Sequence, residues 1–332
     1  GNNSHFIVKY DQTLLDDILA HVDDLTAIDQ LQLLQDLRLL AEGRQISYAA
    51  VVPLLSRFAA SHSTVVNAAL YQVAGNLRKF VTPDSDEEKH LQTLFDQLSA
   101  AQVKRLGWLP QAGESNDDQL TRPYVLSAAL YAKNSAAVLA AHELFEGNRD
   151  KLATLPADVR VFILRNEVKN FGSKDLFDSL LTASRQTADA SYKADICDAL
   201  TATTDPELIK QLVVKFEDAD TIKPQDLRAW FRGVLANPAG EQAAWDWIRD
   251  EWSWLEATVG GDMEFTTYIT VISRVFHTAE RLAEFKAFFE PKINTPGLTR
   301  EIKMDTKVIA SRVALVEDER DAVNAAVAEV VK

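Results

Sequence analysis

Residues 46–77 read ISYAAVVPLLSRFAASHSTVVNAALYQVAGNL and hold two successive apolar stripes. Tyr48, Val51, Val52, Leu55 and Phe58 recur at i, i+3, i+4 and i+7, and Val66, Leu70, Val73 and Leu77 follow the same spacing. An α-helix turns by about 100° per residue, so this spacing lines one helix face, whereas a strand would alternate apolar and polar residues. From Gln12 onward the pattern repeats, and start signals recur at short intervals. Asp205-Pro206-Glu207 offers an N-cap, a first-turn proline and a first-turn acid. Thr278 and Ser135 are further N-cap candidates, and Pro224 marks a helix start. The expectation is about sixteen helices of roughly 10–18 residues with short connections, hence antiparallel pairs. So many pairs without an intervening strand predict an all-α, right-handed superhelix, HEAT-like in architecture but without a repeated sequence.

One stretch departs from this pattern. In SHFIVKYD, at residues 4–11, Phe6, Val8 and Tyr10 alternate and read as a β-strand. A lone strand is not stable, so its partners are expected outside this chain. The organisation expected is residues 1–11 as the last strand of a preceding module and residues 12–332 as one helical domain. The polar stretch at 110–122, PQAGESNDDQLTR, is the best candidate for an internal boundary or loop.

Glycine (12) and proline (10) are scarce among the 332 residues, which disfavours a turn-rich all-β chain. The net charge of −14, with no cluster of Lys or Arg, speaks against nucleic acid and against anionic membranes as partners. No apolar run approaches the roughly 20 residues of a membrane-spanning helix. A single cysteine, Cys197, cannot form an internal disulfide and fits a reducing, cytoplasmic setting. Ile196 and Leu200 beside it predict a buried structural thiol. Gly1 in place of an initiator methionine predicts that the natural N-terminus lies upstream.

Few stretches carry the marks of chemistry. His142-Glu143 opens like the metal-binding HExxH signature, but position 146 is glutamate, not histidine. A His–Glu pair at that spacing grips a metal only if a third ligand exists, so the expectation is no metal and an exposed polar stripe, with Leu139, Leu144 and Phe145 buried. Five of the six tryptophans fall between Trp230 and Trp254. Trp245, Trp247, Trp252 and Trp254 would lie on two neighbouring faces of one helix, packed on both sides. Arg228 and Arg232 share a helix face among aromatics, and Arg274 follows a stripe containing Tyr268 and Val271. Such guanidinium groups can hold a carboxylate bidentately, although salt bridges are their commoner use. There is no GxGxxG, P-loop, GxSxG or CxxC, so no catalytic residue is expected.

The order of several stretches resembles the C-terminal helical domain of the aminopeptidase N family of zinc metallopeptidases. Tyr10-Asp11, Leu33-Leu34-Gln35-Asp36 and Gly43 with Ile46-Ser47-Tyr48 match its opening, and Arg122 is in register with a helix-start arginine. Gln225-Asp226, Asn237-Pro238-Ala239-Gly240 and Ala244-Trp245-Asp246-Trp247 form the most specific piece. Phe276-His277-Thr278 and Phe288-Phe289 follow in order. Gln30 stands where relatives usually carry arginine. The resemblance implies a β-sandwich before this chain and, farther upstream, a catalytic domain holding zinc, with no cofactor in this chain. It implies a domain that caps the active site and encloses the cavity for peptide substrates, its partners being the enzyme's own two other domains. Arg228, Arg232, Tyr268 and Arg274 are the candidates for the substrate-facing wall, Tyr268 by its place in the resemblance and the arginines by chemistry. A free-standing α-solenoid scaffold is the alternative.

Overall fold

The computed structural model describes residues 6–261 and 265–332, and every regular element among them is helical. The α-helices are α1 (Gln12–Ala20), α2 (Ala27–Glu42), α3 (Tyr48–Val51), α4 (Thr64–Asn76), α5 (Asp86–Leu106), α6 (Asn116–Tyr131), α7 (Ser135–Glu146), α8 (Ala157–Phe171) and α9 (Lys174–Gln186). They continue as α10 (Ala190–Leu200), α11 (Pro206–Val214), α12 (Pro224–Ala236), α13 (Glu241–Asp250), α14 (Trp252–Val259), α15 (Thr267–Val275), α16 (Ala279–Phe289) and α17 (Thr299–Val330). At 32 residues α17 exceeds the expected length range.

Local capping accounts for most of these boundaries. The Asp205 carboxylate accepts from the backbone N–H groups of Glu207 at 2.9 Å and Leu208 at 3.3 Å. The Thr278 hydroxyl accepts from the Arg281 N–H at 3.3 Å, and α12 begins at Pro224. Ser85 caps α5, whose first turn holds Asp86, Glu87 and Glu88, where the helix dipole favours negative charge. Ser135 is not the cap of α7. Asn134 takes that role, its side-chain oxygen accepting from the Ala137 N–H at 2.9 Å.

The helices divide into two compact units: residues up to Ala140 with Leu315–Lys332, and Ala141–Ala314. In the first unit α2 packs on α4, α4 on α6 and α6 on α5. Both stripes of residues 46–77 are fully buried. The first stripe, however, lies on the single turn α3 followed by a 3-10 segment, Val52–Phe58. Pro53 has no N–H to donate, which disfavours the α ladder, and at three residues per turn Val52, Leu55 and Phe58 still share one face. Gln30 donates to the carbonyls of Val22 at 3.1 Å and Leu25 at 3.2 Å, so its amide binds the connection before α2.

Ser115 caps α6 by accepting from the Asp118 N–H at 3.1 Å, so the second half of the expected 110–122 loop is helical and the units divide elsewhere. Gly107 ends α5 with φ 61°, a conformation that costs a residue with a Cβ. Arg122, fully buried, donates to the carbonyls of Leu106 and Gly107, each at 3.2 Å, and pairs with Glu114. The last part of α17 completes this unit's core with Leu315, Val316, Val323 and Val327. Glu319 accepts from the Ser47 hydroxyl at 3.0 Å and the Tyr48 N–H at 2.6 Å, capping α3 from a distant part of the chain.

Phe6–Asp11 carry no regular secondary structure, and Phe6, Ile7 and Val8 are exposed. Tyr10 packs against the core. The rest of the expected strand and of the expected first module, residues 1–5, lies outside the described residues.

In the second unit α8 and α9 pack on α10, α10 on α12, α12 on α13 and α15, and α11 on α13. The α10–α12 approach is close: a Cβ at Gly233 would stand 2.4 Å from the Thr201 hydroxyl oxygen. Cys197 is buried, as expected. The tryptophan stretch forms two helices rather than one, interrupted at Glu251. Trp245, Trp247 and Trp252 are buried, as packing on both sides requires. Trp245 meets Phe276 with ring centroids 5.1 Å apart, Trp247 meets Phe216 at 5.0 Å, and Trp252 meets Phe265 at 5.0 Å. In the same unit the buried Asp305 of α17 accepts from the hydroxyls of Thr270 at 3.0 Å and Ser273 at 2.8 Å.

Candidate functional site

Helix α12 buries Leu227, Trp230, Phe231 and Val234 and presents Arg228 and Arg232 one turn apart. Arg228 is half-buried, and its Nη1 donates to the Thr267 hydroxyl at 3.0 Å, at the start of α15. The next residue, Tyr268, is only 2% exposed, its ring tilted against Phe231 with centroids 5.6 Å apart. The structure therefore brings Arg228 and Tyr268 to one seam between α12 and α15. Tyr268 serves as part of that seam's core rather than as an open contact surface.

Arg232 is exposed and lies toward α10. Burial pushes the Cys197 thiol well above its ordinary range and Asp198 adds to this, while Arg232 pulls the other way. Arg274 is exposed, six residues after Tyr268 on α15. Six residues carry it about 9 Å along the helix and off the tyrosine's face. The four sequence candidates thus form one close pair, Arg228 with Tyr268, and two separate exposed cations. Among the described residues the seam combines apolar packing with the hydrogen bond from Arg228 to Thr267.

A second constellation was half-visible in the sequence. Among the described residues, one group of His, Cys, Asp and Glu brings three ligating atoms together: His142, Glu146 and Glu167, all within 4.8 Å of one another. His142 and Glu146 lie one turn apart on α7, and Glu167 comes from α8. The expected stripe is seen in part: Glu143 and Glu146 are exposed and Phe145 is buried as expected, whereas His142 and Leu144 are half-buried and Leu139 is exposed. Sequence spacing flagged the first two residues but carried no signal for Glu167, since 25 residues separate it from His142. This group does not fit an HExxH centre, because it holds one histidine and two carboxylates.

A family model for the ERAP1-like C-terminal domain matches residues 1–311. The chain belongs to the ERAP1-like C-terminal domain family. Over 331 residues it is 60% identical to Aminopeptidase N of Lactobacillus helveticus, covering 100% of this chain and 39% of that protein. It is 58% identical over 328 residues to Aminopeptidase N of Lactobacillus delbrueckii subsp. lactis, covering 99% of this chain and 39% of that protein. A more distant plant relative, Aminopeptidase M1 of Arabidopsis thaliana, is 27% identical over 307 residues. The chain thus spans 39% of the length of the two Lactobacillus relatives. No helix among the described residues is long and apolar enough to cross a membrane.

Proposed function

We propose that this chain is the closing helical domain of a zinc aminopeptidase that removes N-terminal residues from peptides. The observation that carries this reading is its 60% identity, across the whole chain, to part of an Aminopeptidase N. In the proposed enzyme the zinc, the HExxH helix and the chemistry belong to a catalytic domain preceding this chain. Here the helix pairs continue as a HEAT-like stack that caps the active site and encloses its cavity, admitting peptides and excluding folded proteins. Such a wall contacts substrate residues beyond the scissile bond and uses that remote binding to position the reacting end. The exposed Phe6, Ile7 and Val8 support a role for the first residues as the last strand of a preceding β-sandwich, which would cover them. The chain's partners in this reading are the enzyme's own upstream domains and peptide substrates, in the cytoplasm, and neither nucleic acid nor membrane.

Arg228, Arg232 and Arg274 are the proposed wall contacts for peptide carboxylates, with Tyr268 setting the α12–α15 seam behind Arg228. The test is alanine substitution of each arginine, and Tyr268→Phe, in the enzyme that includes the upstream domains. KM for peptides of several residues should rise by more than KM for a single-residue chromogenic amide. Equal changes for both substrate sizes would remove these residues from the wall. No peptidase activity in the longer protein would remove the reading itself.

A further inference from the structure

The helix pair α7–α8 holds a cluster that the capping role does not use. His142 and Glu146 stand four residues apart and so share a face at the end of α7, and Glu167 meets them from α8. The His142 Nδ1 lies 2.8 Å from the Glu167 Oε2. The Glu167 side chain is only 3% exposed, so its carboxylate forms the floor of the cluster. The imidazole is stacked on Phe171, with centroids 4.0 Å apart and planes 17° from parallel. That stacking fixes the ring with Nδ1 toward Glu167 and leaves it little freedom to turn away. Glu146, at 42% exposure, stands at the mouth, where Arg149 pairs with it.

We propose that His142, Glu146 and Glu167 bind one divalent transition-metal ion of the zinc class, which clips α7 to α8. One imidazole nitrogen with two carboxylates is a donor set that suits such ions, whereas magnesium and calcium prefer oxygen alone. Zinc bonds these atoms at about 2.0–2.2 Å, so donors already within 4.8 Å of one another close on an ion by shifts under about 1 Å. Glu146 supplies most of that movement, being an exposed side chain at a helix end. Two carboxylates balance the ion's charge, and a dication gives the buried Glu167 a stronger partner than imidazole provides. Arg149 is the competitor for Glu146, donating to both of its carboxylate oxygens, but both side chains are exposed and the pair is screened by salt. Metal entry exchanges that pair for coordination bonds and leaves the guanidinium over the Phe145 ring, 5.3 Å from its centroid.

The test is titration of the chelator-treated 332-residue chain with Zn2+ by calorimetry and with Co2+ by visible absorption. The expected result is saturable binding of one Zn2+ per chain and a Co2+ ligand-field band. Each of His142→Ala, Glu146→Gln and Glu167→Gln should weaken binding by at least about tenfold, the loss typical even of residues that only support a ligand. Glu146→Gln changes an exposed residue, so it tests the site even if loss of the buried carboxylate impairs folding; circular dichroism reports which variants are intact. No saturable binding, or unchanged affinity in folded His142→Ala and Glu146→Gln chains, overturns the proposal.

Discussion

At the scale of single residues, buried charge decides more than surface charge does. Arg122 is fully buried and holds three groups of the α5–α6 connection: two carbonyls at the end of α5 and the Glu114 carboxylate. Removing one member of a buried pair strands the other charge away from water, at a cost of about 3–5 kcal/mol. Arg122→Met should therefore lower the unfolding free energy by about that amount in a urea titration. The double variant Arg122→Met with Glu114→Gln should lose less than the sum of its singles, because no charge is left stranded. A loss under about 1 kcal/mol for Arg122→Met would show that the pair is not buried in solution. Asp118 behaves differently because it is partly open to water. Its hydrogen bond to Arg105 holds its carboxyl below the ordinary range, aided by Ser115 against the opposing effect of partial burial. A carboxylate with a depressed folded-state pKa contributes stability that is fully present above the unfolded value of about 3.9 and is lost as pH falls through the folded value. Stability of the chain should fall with acid in that window, and Asp118→Asn should flatten the slope in urea titrations between about pH 4 and pH 2. An unchanged slope in the variant would remove Asp118 from the acid response.

At the scale of elements, close packing sets which substitutions are tolerated. Helix α12 approaches α10 where Gly233 faces Thr201, and an added Cβ would meet the threonine side chain at 2.4, 2.7 and 2.9 Å. Alanine normally favours a helix over glycine by about 1 kcal/mol. Here overpacking, at about 1–3 kcal/mol, should outweigh that gain. Gly233→Ala is expected to lower the melting temperature, and adding Thr201→Ala should recover most of the loss. A melting temperature raised by Gly233→Ala alone would mean that α10 and α12 are spaced more widely than described. The tryptophan stretch teaches a related lesson. Trp245, Trp247, Trp252 and Trp254 read as lying on one helix, but the chain turns at Glu251, and Trp245 and Trp252 both reach the phenylalanines of α16. Helical periodicity is local and survives such a break, so the break itself left no mark on the spacing.

At the scale of the whole molecule, α17 supplies core residues to both units. Its first part anchors Asp305 under Thr270 and Ser273 of the second unit, and its last part buries Leu315, Val316, Val323 and Val327 in the first. Deleting residues 315–332 would expose the apolar surface those four residues cover and remove Glu319 from the start of α3. At about 1.5–3 kcal/mol for each fully buried aliphatic side chain, this loss is comparable with a whole domain's net stability. The shortened chain should show its first unit exchanging amide hydrogens rapidly while α8–α16 stay protected. Equal protection of both units in the shortened chain would show that the first unit holds together without this helix.

The sequence by itself determined the all-helical class, three of the four helix starts it named and the buried stripes, because caps and i, i+3, i+4 spacing are local properties of the chain. Its ordered motifs, such as Asn237-Pro238-Ala239-Gly240 followed by the paired tryptophans, were enough to point to the family. Tertiary structure alone decided what depends on residues far apart in the chain. It turned Arg228 toward Thr267, buried Tyr268 and left Arg274 apart from both. It returned the end of α17 to the first unit, and it moved the internal division away from the polar stretch at 110–122. It also set Glu167 beside His142, joining a third side chain to the pair His142 and Glu146 that spacing alone could show. Periodicity fixes which face of a helix is apolar, but only packing fixes which other helix that face meets.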